Sequence, residues 1–229
     1  MKRLVLWDID GTLLRSGEIG ALIFDTAIEK VVGVRPRQPV TMSGKTDPQI
    51  VTEYLTDLDH PDVAGQIPLV LAGIESELAA QAHRIGVGGG VLPGIAELLP
   101  RLHGHGEVLQ TVLTGNIAPN ARLKLAAFGL DAWLNLEMGA FGSDHADRTR
   151  LVPVALGRVA EARGRVFDPA EVWVVGDAPN DLACARAGGA RCLLVATGRS
   201  GYEELAALGP DAVRHDLGDV DAVVDLLAS

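Results

Sequence analysis

Basic residues are scarce in this chain of 229 residues. Twenty lysines and arginines stand against 30 aspartates and glutamates, a formal net charge of −10 at pH 7. Nucleic acids and anionic membranes attract basic surfaces, so this balance argues against either as a partner. Cysteine is nearly missing. Cys184 and Cys192 lie in apolar or helical surroundings, as buried thiols of a reducing compartment do, although a lone pair could bridge. Long apolar runs are missing too. None nears the roughly 20 residues of a membrane span, and the opening Met1–Trp7 meets a carboxylate before any secretory-type stretch develops. No internal repeat or low-complexity tract occurs. The expectation is a soluble, cytoplasmic protein, monomeric or weakly dimeric. Apolar residues make up 48%, enough for a sizeable core in one large domain or a core with a small accessory domain.

Short continuous apolar runs at Leu4–Trp7, Val108–Leu113, Trp133–Met138, Val172–Val175 and Cys192–Ala196, with a weaker one at Ala212–Arg214, read as strands buried on both faces. Helical patterns alternate with them at Ile95–Leu102, Pro119–Phe128, Leu151–Arg163, Ala178–Ala187 and Tyr202–Leu208. Alternation of this kind predicts an α/β fold with a doubly wound parallel sheet. Residues 17 to about 85 break the rhythm. Ile19–Val32, Asp47–Leu58 and Ile67–Ile85 read as helices with no strand between them, Gly33 as a stop, and Asp47-Pro48 as an N-cap with a first-turn proline. The cluster Gly86-Val87-Gly88-Gly89-Gly90 reads as a hinge. The predicted organisation is a core of residues 1–16 and 90–229 with an all-helical cap at 17–89.

Two acidic motifs follow strand-forming runs: Asp8-Ile9-Asp10-Gly11-Thr12-Leu13 and Gly176-Asp177-Ala178-Pro179-Asn180-Asp181. Carboxylates at strand ends lie where open α/β sheets keep their active sites. Four acids gathered there repel one another unless a cation sits between them, which points to Mg²⁺, an ion that takes oxygen ligands. Asp8 and Asp10, two apart, lean the same way, so one can attack phosphorus while the other moves a proton. Gly11 allows a sharp turn, and Thr12 can hydrogen-bond within it. An Asx-type turn needs only one such aspartate.

Asp8-Ile9-Asp10-Gly11-Thr12-Leu13-Leu14 resembles the first motif of the haloacid dehalogenase superfamily, the aspartate-nucleophile phosphatases, and the likeness spans nearly the whole chain. The resemblance makes Thr114 of Val112-Leu113-Thr114-Gly115-Asn116 the second motif, its hydroxyl and the following N–H of Gly115 holding a phosphoryl oxygen. Asp177 and Asp181 match the fourth. Asp8, the Asp10 carbonyl and Asp177 would then ligate Mg²⁺, with Asp181 acting through water or orienting the ligands. Relatives carry a lysine as third motif. Here Arg148 and Arg150 compete for that role, and alignment of Pro153 with a proline common in phosphoglycolate-phosphatase-like relatives favours Arg148.

Gly44-Lys45-Thr46 invites a P-loop reading, but Pro39 stands where the loop needs a glycine and no buried strand precedes it. Relatives place a cap loop here, so Gly44 and Lys45 become candidate substrate contacts; a solvated lysine is the equal alternative. Asn116 reads as an N-cap that could touch substrate, and His103, His105, Asp144 and His145 as loop residues.

The function implied is hydrolysis of a small phosphomonoester metabolite, phosphoglycolate first, through an aspartyl-phosphate on Asp8, with Asp10 as acid and base. A phosphosugar mutase shares the core. A metal-independent dehalogenase usually has an aromatic residue in place of Asp10, and a non-catalytic regulatory protein has no need of these acids.

Overall fold

The computed structural model describes residues 1–229. Strand β1 (Arg3–Trp7) is covered on both faces. Val5 and Trp7 join one apolar cluster, while Leu4 and Leu6 join another on the opposite face. After β1 comes a two-residue strand β2 (Leu14–Arg15), then three helices: α1 (Ile19–Val32), α2 (Asp47–Asp57) and α3 (Val63–Ala80). The chain returns through β3 (Gly90–Val91), which pairs antiparallel with β2. The remainder alternates: α4 (Ile95–Gly104), β4 (Val108–Val112), α5 (Ala118–Ala126), α6 (Leu151–Arg163), β5 (Val172–Gly176), α7 (Pro179–Ala187), β6 (Arg191–Val195), α8 (Tyr202–Ala207), β7 (Ala212–Arg214) and α9 (Val220–Ala228).

The main sheet is parallel, in the order β4-β1-β5-β6-β7. Helices α4, α5 and α9 supply Leu98, Leu125 and Val223 to the cluster on one face, and α6, α7 and α8 supply Val152, Ala185 and Leu205 to the other. The α/β, doubly wound expectation holds, and the strand order reverses at β1. Strands β4 and β5 therefore lie on opposite sides of β1, and the connections that reach them leave a crevice at its carboxyl end.

Helices α1–α3 bury a cluster of their own, including Ile23, Ile28, Tyr54, Ile74 and Leu78. The boundaries of α1 match the expected ones, and Gly33, at φ +76°, ends it. Helix α3, 18 residues of mean hydropathy 1.2, is the one helix whose length and composition match a membrane span. Its Val70, Ile74 and Leu78 are buried against its neighbours.

Other expectations needed correction. Trp133–Met138 is not a strand but two 3₁₀ turns, Asp131–Trp133 and Leu136–Met138. The segment is tied to β4 where Asn135 N donates to Gln110 O, Thr111 Oγ1 donates to Asn135 O and Ala140 N donates to Val112 O. Between those points it folds back, sending Leu134 and Leu136 to one core and Met138 to the other, which covers the sheet edge instead of extending it. The cap of α2 is Thr46, whose Oγ1 accepts from Gln49 N; Asp47 is the first helical residue, with Pro48 after it. Helix α3 starts four residues before Ile67 because Asp62 caps it, accepting from Gly65 N at 2.9 Å. Helix α9 and the β2–β3 ribbon had no counterpart in the sequence reading.

Candidate active site

Strands β1, β4 and β5, side by side in the sheet, each lead into a polar residue at their carboxyl ends. Asp8 follows β1 and donates its N–H to Val175 O at 2.9 Å, keeping the first acid in register with β5. Thr114 follows β4 and Leu113, and its N–H reaches Ala140 O at 3.0 Å. Asp177 follows β5. Ligand oxygens of Asp8, Asp177 and Asp181 lie within 4.8 Å of one another, all buried. Close approach requires glycine nearby: a Cβ on Gly11 (φ +90°) would stand 2.7 Å from the Asp177 carboxyl, and one on Gly198 would stand 1.7 Å from Asp177 Oδ2.

One buried guanidinium serves this cluster. Arg148, 5% exposed, donates Nη2 to Asp8 Oδ1 at 2.9 Å and to Asp181 Oδ1. It sits there because Asp147 caps a short 3₁₀ turn, Arg148–Arg150, directly before α6. Arg150 is 71% exposed and only loosely paired with Asp147. Of the two candidates for the third motif, the structure brings Arg148 into the site and leaves Arg150 outside. Asp181 spends its other oxygen on Ala178 N at 3.0 Å, which fixes it as a rigid support for Arg148.

A single cation does not balance three acids. Burial, then the charges of Asp8 and Asp181, pushes Asp177 up to about 8. Burial pushes Asp8 up to about 6, with Arg148 opposing and Asp181 adding to the rise. The Arg148 guanidinium is driven the other way from its burial penalty, held firmly protonated by Asp181 and Asp8. A set of buried, hard oxygen donors with surplus negative charge suits a divalent cation such as Mg²⁺.

Asp10 points elsewhere. Its Oδ2 accepts from Lys124 Nζ at 2.6 Å and Asn116 Nδ2 at 2.9 Å, and its Oδ1 from Ser16 Oγ at 2.6 Å. Burial would raise this carboxyl, but the charge and hydrogen bond of Lys124, with those of Ser16 and Asn116, outweigh it and hold it below the ordinary range.

These groups face a cavity of roughly 560 Å³ between the sheet edge and α1–α2. Gly11, Gly44, Lys45, Gly115 and Asn116 line it, as do Asp8, Asp10, Thr114, Arg148 and Asp177. Two expected residues do not. Thr12 sits behind Asp177, its Oγ1 3.4 Å from Oδ1, and Asp181 is wholly buried. Lys45 pairs with Glu53 of its own helical segment. Asp144 pairs with Arg158, and His145 accepts from Asp147 N, so both serve their loop.

The sequence reading missed Lys124, Asp47, Ser16 and the arginines Arg15 and Arg199, all in the cavity wall. Lys124 had a signal: it shares the inward stripe of α5 with Asn120, Ala121 and Leu125, and a lysine in a buried stripe demands a carboxylate. Asp47 closes the cavity roof, its Oδ2 accepting from Ile117 N at 2.8 Å. Both cysteines are buried and unbridged.

Comparison with known proteins agrees with this geometry. Over 225 residues the chain is 27% identical to the probable phosphatase IndB of Dickeya dadantii, covering 96% of this chain and 92% of the relative. It is also 27% identical over 227 residues to a phosphoglycolate phosphatase of Pseudomonas savastanoi pv. phaseolicola, covering 95% and 78%. A hydrolase from Pseudomonas syringae superposes with a TM-score of 0.74 across the full length of both chains at 20% identity, a likeness of fold. Residues 5–186 match the family model of haloacid dehalogenase-like hydrolases. The chain is an enzyme of the haloacid dehalogenase-like hydrolase family.

Proposed function

We propose that the protein is a Mg²⁺-dependent phosphatase acting on a small phosphomonoester through an aspartyl-phosphate on Asp8. The observation that carries this reading is the placement of Asp8: at a strand end on the cavity floor, with Arg148 on one side and the Asp177 carboxyl on the other. A nucleophilic carboxylate needs its charge offset as the phosphoryl group arrives, and a buried guanidinium does this. Arg148 itself lines the cavity beside Asp8. Thr114 and the N–H of Gly115 would hold a phosphoryl oxygen. Asp8, the Asp10 carbonyl and Asp177 would bind the ion, which when present neutralises the transferred group. Asp10 would give a proton to the leaving alcohol and later take one from water.

We read residues 17–89 as a cap domain that selects the substrate, with the β2–β3 ribbon as its crossing point. Arg15 and Arg199 line the cavity without ion pairs, which favours a leaving group bearing a second anion, as phosphoglycolate does. Free buried thiols fit work in the reducing cytoplasm. Phosphate release from a panel of phosphorylated metabolites, with and without EDTA, tests the assignment. Metal-independent turnover, or isomer formation without phosphate release, would overturn it.

A further inference from the structure

Lys124 is a buried cation that neither acidic motif accounts for. It is 6% exposed, on the inward stripe of α5, and its Nζ donates to Asp10 Oδ2 and to Asn116 Oδ1, each at 2.6 Å. Asn116 Nδ2 in turn donates to the same Asp10 oxygen and to Thr114 Oγ1 at 2.8 Å. With Ser16 Oγ on Oδ1, every protein group touching the Asp10 carboxylate is a donor. A lysine this buried needs a carboxylate opposite it. Here that carboxylate is the one facing the cavity.

We infer that Lys124 is a positioning residue that holds Asp10 as a proton acceptor for hydrolysis of phosphorylated Asp8, an inference resting on the phosphatase reading above. In that half-reaction a water oxygen bonds to phosphorus and the bond from phosphorus to the Asp8 oxygen breaks. Asp8 recovers its carboxylate, inorganic phosphate leaves, and the proton from water passes to Asp10. The acceptor must keep an oxygen aimed at that water. The Asp10 side chain is 40% exposed and shares the cavity with Asp8 and Asp177, so without Lys124 it would be repelled by both and held only by the neutral donors Ser16 and Asn116. Oδ2 uses both lone pairs on Lys124 and Asn116, whereas Oδ1 accepts from Ser16 alone and keeps a lone pair for the water.

The two half-reactions separate with p-nitrophenyl phosphate, whose leaving group departs without a proton. Phosphorylation of Asp8 then does not require Asp10, whereas hydrolysis does. Wild-type turnover of this substrate with Mg²⁺ is measured first, and its absence would sink the phosphatase reading alone. In Lys124→Met, kcat is expected to fall about 100-fold, the low end of what a positioned proton acceptor contributes. The ratio kcat/KM should change by less than about 3-fold, and a burst approaching one p-nitrophenolate per enzyme should appear as the phosphoenzyme accumulates. Lys124→Arg should restore part of kcat and shrink the burst. Equal losses in kcat and kcat/KM with no burst would overturn the inference, because Lys124 would then serve phosphoryl transfer or the fold. Should Lys124→Met fail to fold, Lys124→Gln takes its place; failure of both to fold would mark a purely structural lysine and equally overturn it.

Discussion

Arg148 Nη2 lies 2.9 Å from Asp8 Oδ1 and is shared with Asp181, so one guanidinium joins the acid at the end of β1 to the acid in α7. Nothing in their sequence separation requires this; 140 and 33 positions divide Arg148 from its partners. Removing the cation strands two buried carboxylates. Arg148→Met should cost about 3–5 kcal/mol in denaturant unfolding of the chelated protein and lower kcat/KM by about 100-fold or more. Arg150→Met, at the surface, should stay within about 0.5 kcal/mol of wild type with full activity. Similar activity losses in both variants would contradict the geometry.

Asp8→Asn should abolish turnover and leave the fold intact. The amide keeps the shape while removing the proposed nucleophile, and burial already disfavours a charge here, with Asp8 pushed up to about 6. Far-UV circular dichroism should be unchanged, and phosphate release should fall to background. Undiminished release would rule out Asp8 as nucleophile.

Stability should depend on pH and metal together. Asp177 is pushed up to about 8 and Asp47 to about 6, both chiefly by burial, from 3.8. A carboxyl whose folded pKa is raised binds its proton more tightly folded than unfolded, so its support is complete below pH 3.8 and is lost as pH rises through the folded value. EDTA-treated protein should therefore have a lower Tm at pH 8 than at pH 5. Mg²⁺ should raise Tm at pH 8 far more than at pH 5, because it binds the ionised site. Asp47→Asn should flatten the part of the profile near pH 6. A chelated protein more stable at pH 8 than at pH 5 would refute the assignment of these groups.

Gly115→Ala probes how the loop before α2 sits against the end of β4. A Cβ there would stand 1.9 Å from Lys45 O, and the Gly115 carbonyl accepts from Asp47 N at 2.8 Å. The added methyl must push residues 45–47 away. Core stability should change little, since the intruding contact is with the loop before α2, while KM rises and kcat falls together. A variant with wild-type kinetics would show that this contact is dispensable.

Much of the fold was legible because burial writes itself into composition. Continuous apolar runs located β1, β4, β5, β6 and β7, and 3.6-residue periodicity located α1 and α6 to the residue. The same logic failed at Trp133–Met138, where apolar residues serve two cores from a folded-back edge segment. The site was legible through its motifs, since Asp8, Asp10, Thr114, Arg148 and Asp177 all line one cavity. Lys124 and Asp47 escaped because each belongs to the site through a partner far along the chain: Asp10 for the lysine, Ile117 for the aspartate.

The sequence alone determined the alternation of strand and helix, the helical insertion after the first acidic motif, and the presence of carboxylates at strand ends. These follow from local hydrophobic periodicity and turn chemistry, which act over a few residues. Only the tertiary structure decided which arginine meets Asp8, that Thr12 stands behind Asp177, and that a lysine from α5 holds Asp10. Those choices depend on which charges are buried together, and burial of a pair is a property of packed elements, not of neighbouring residues.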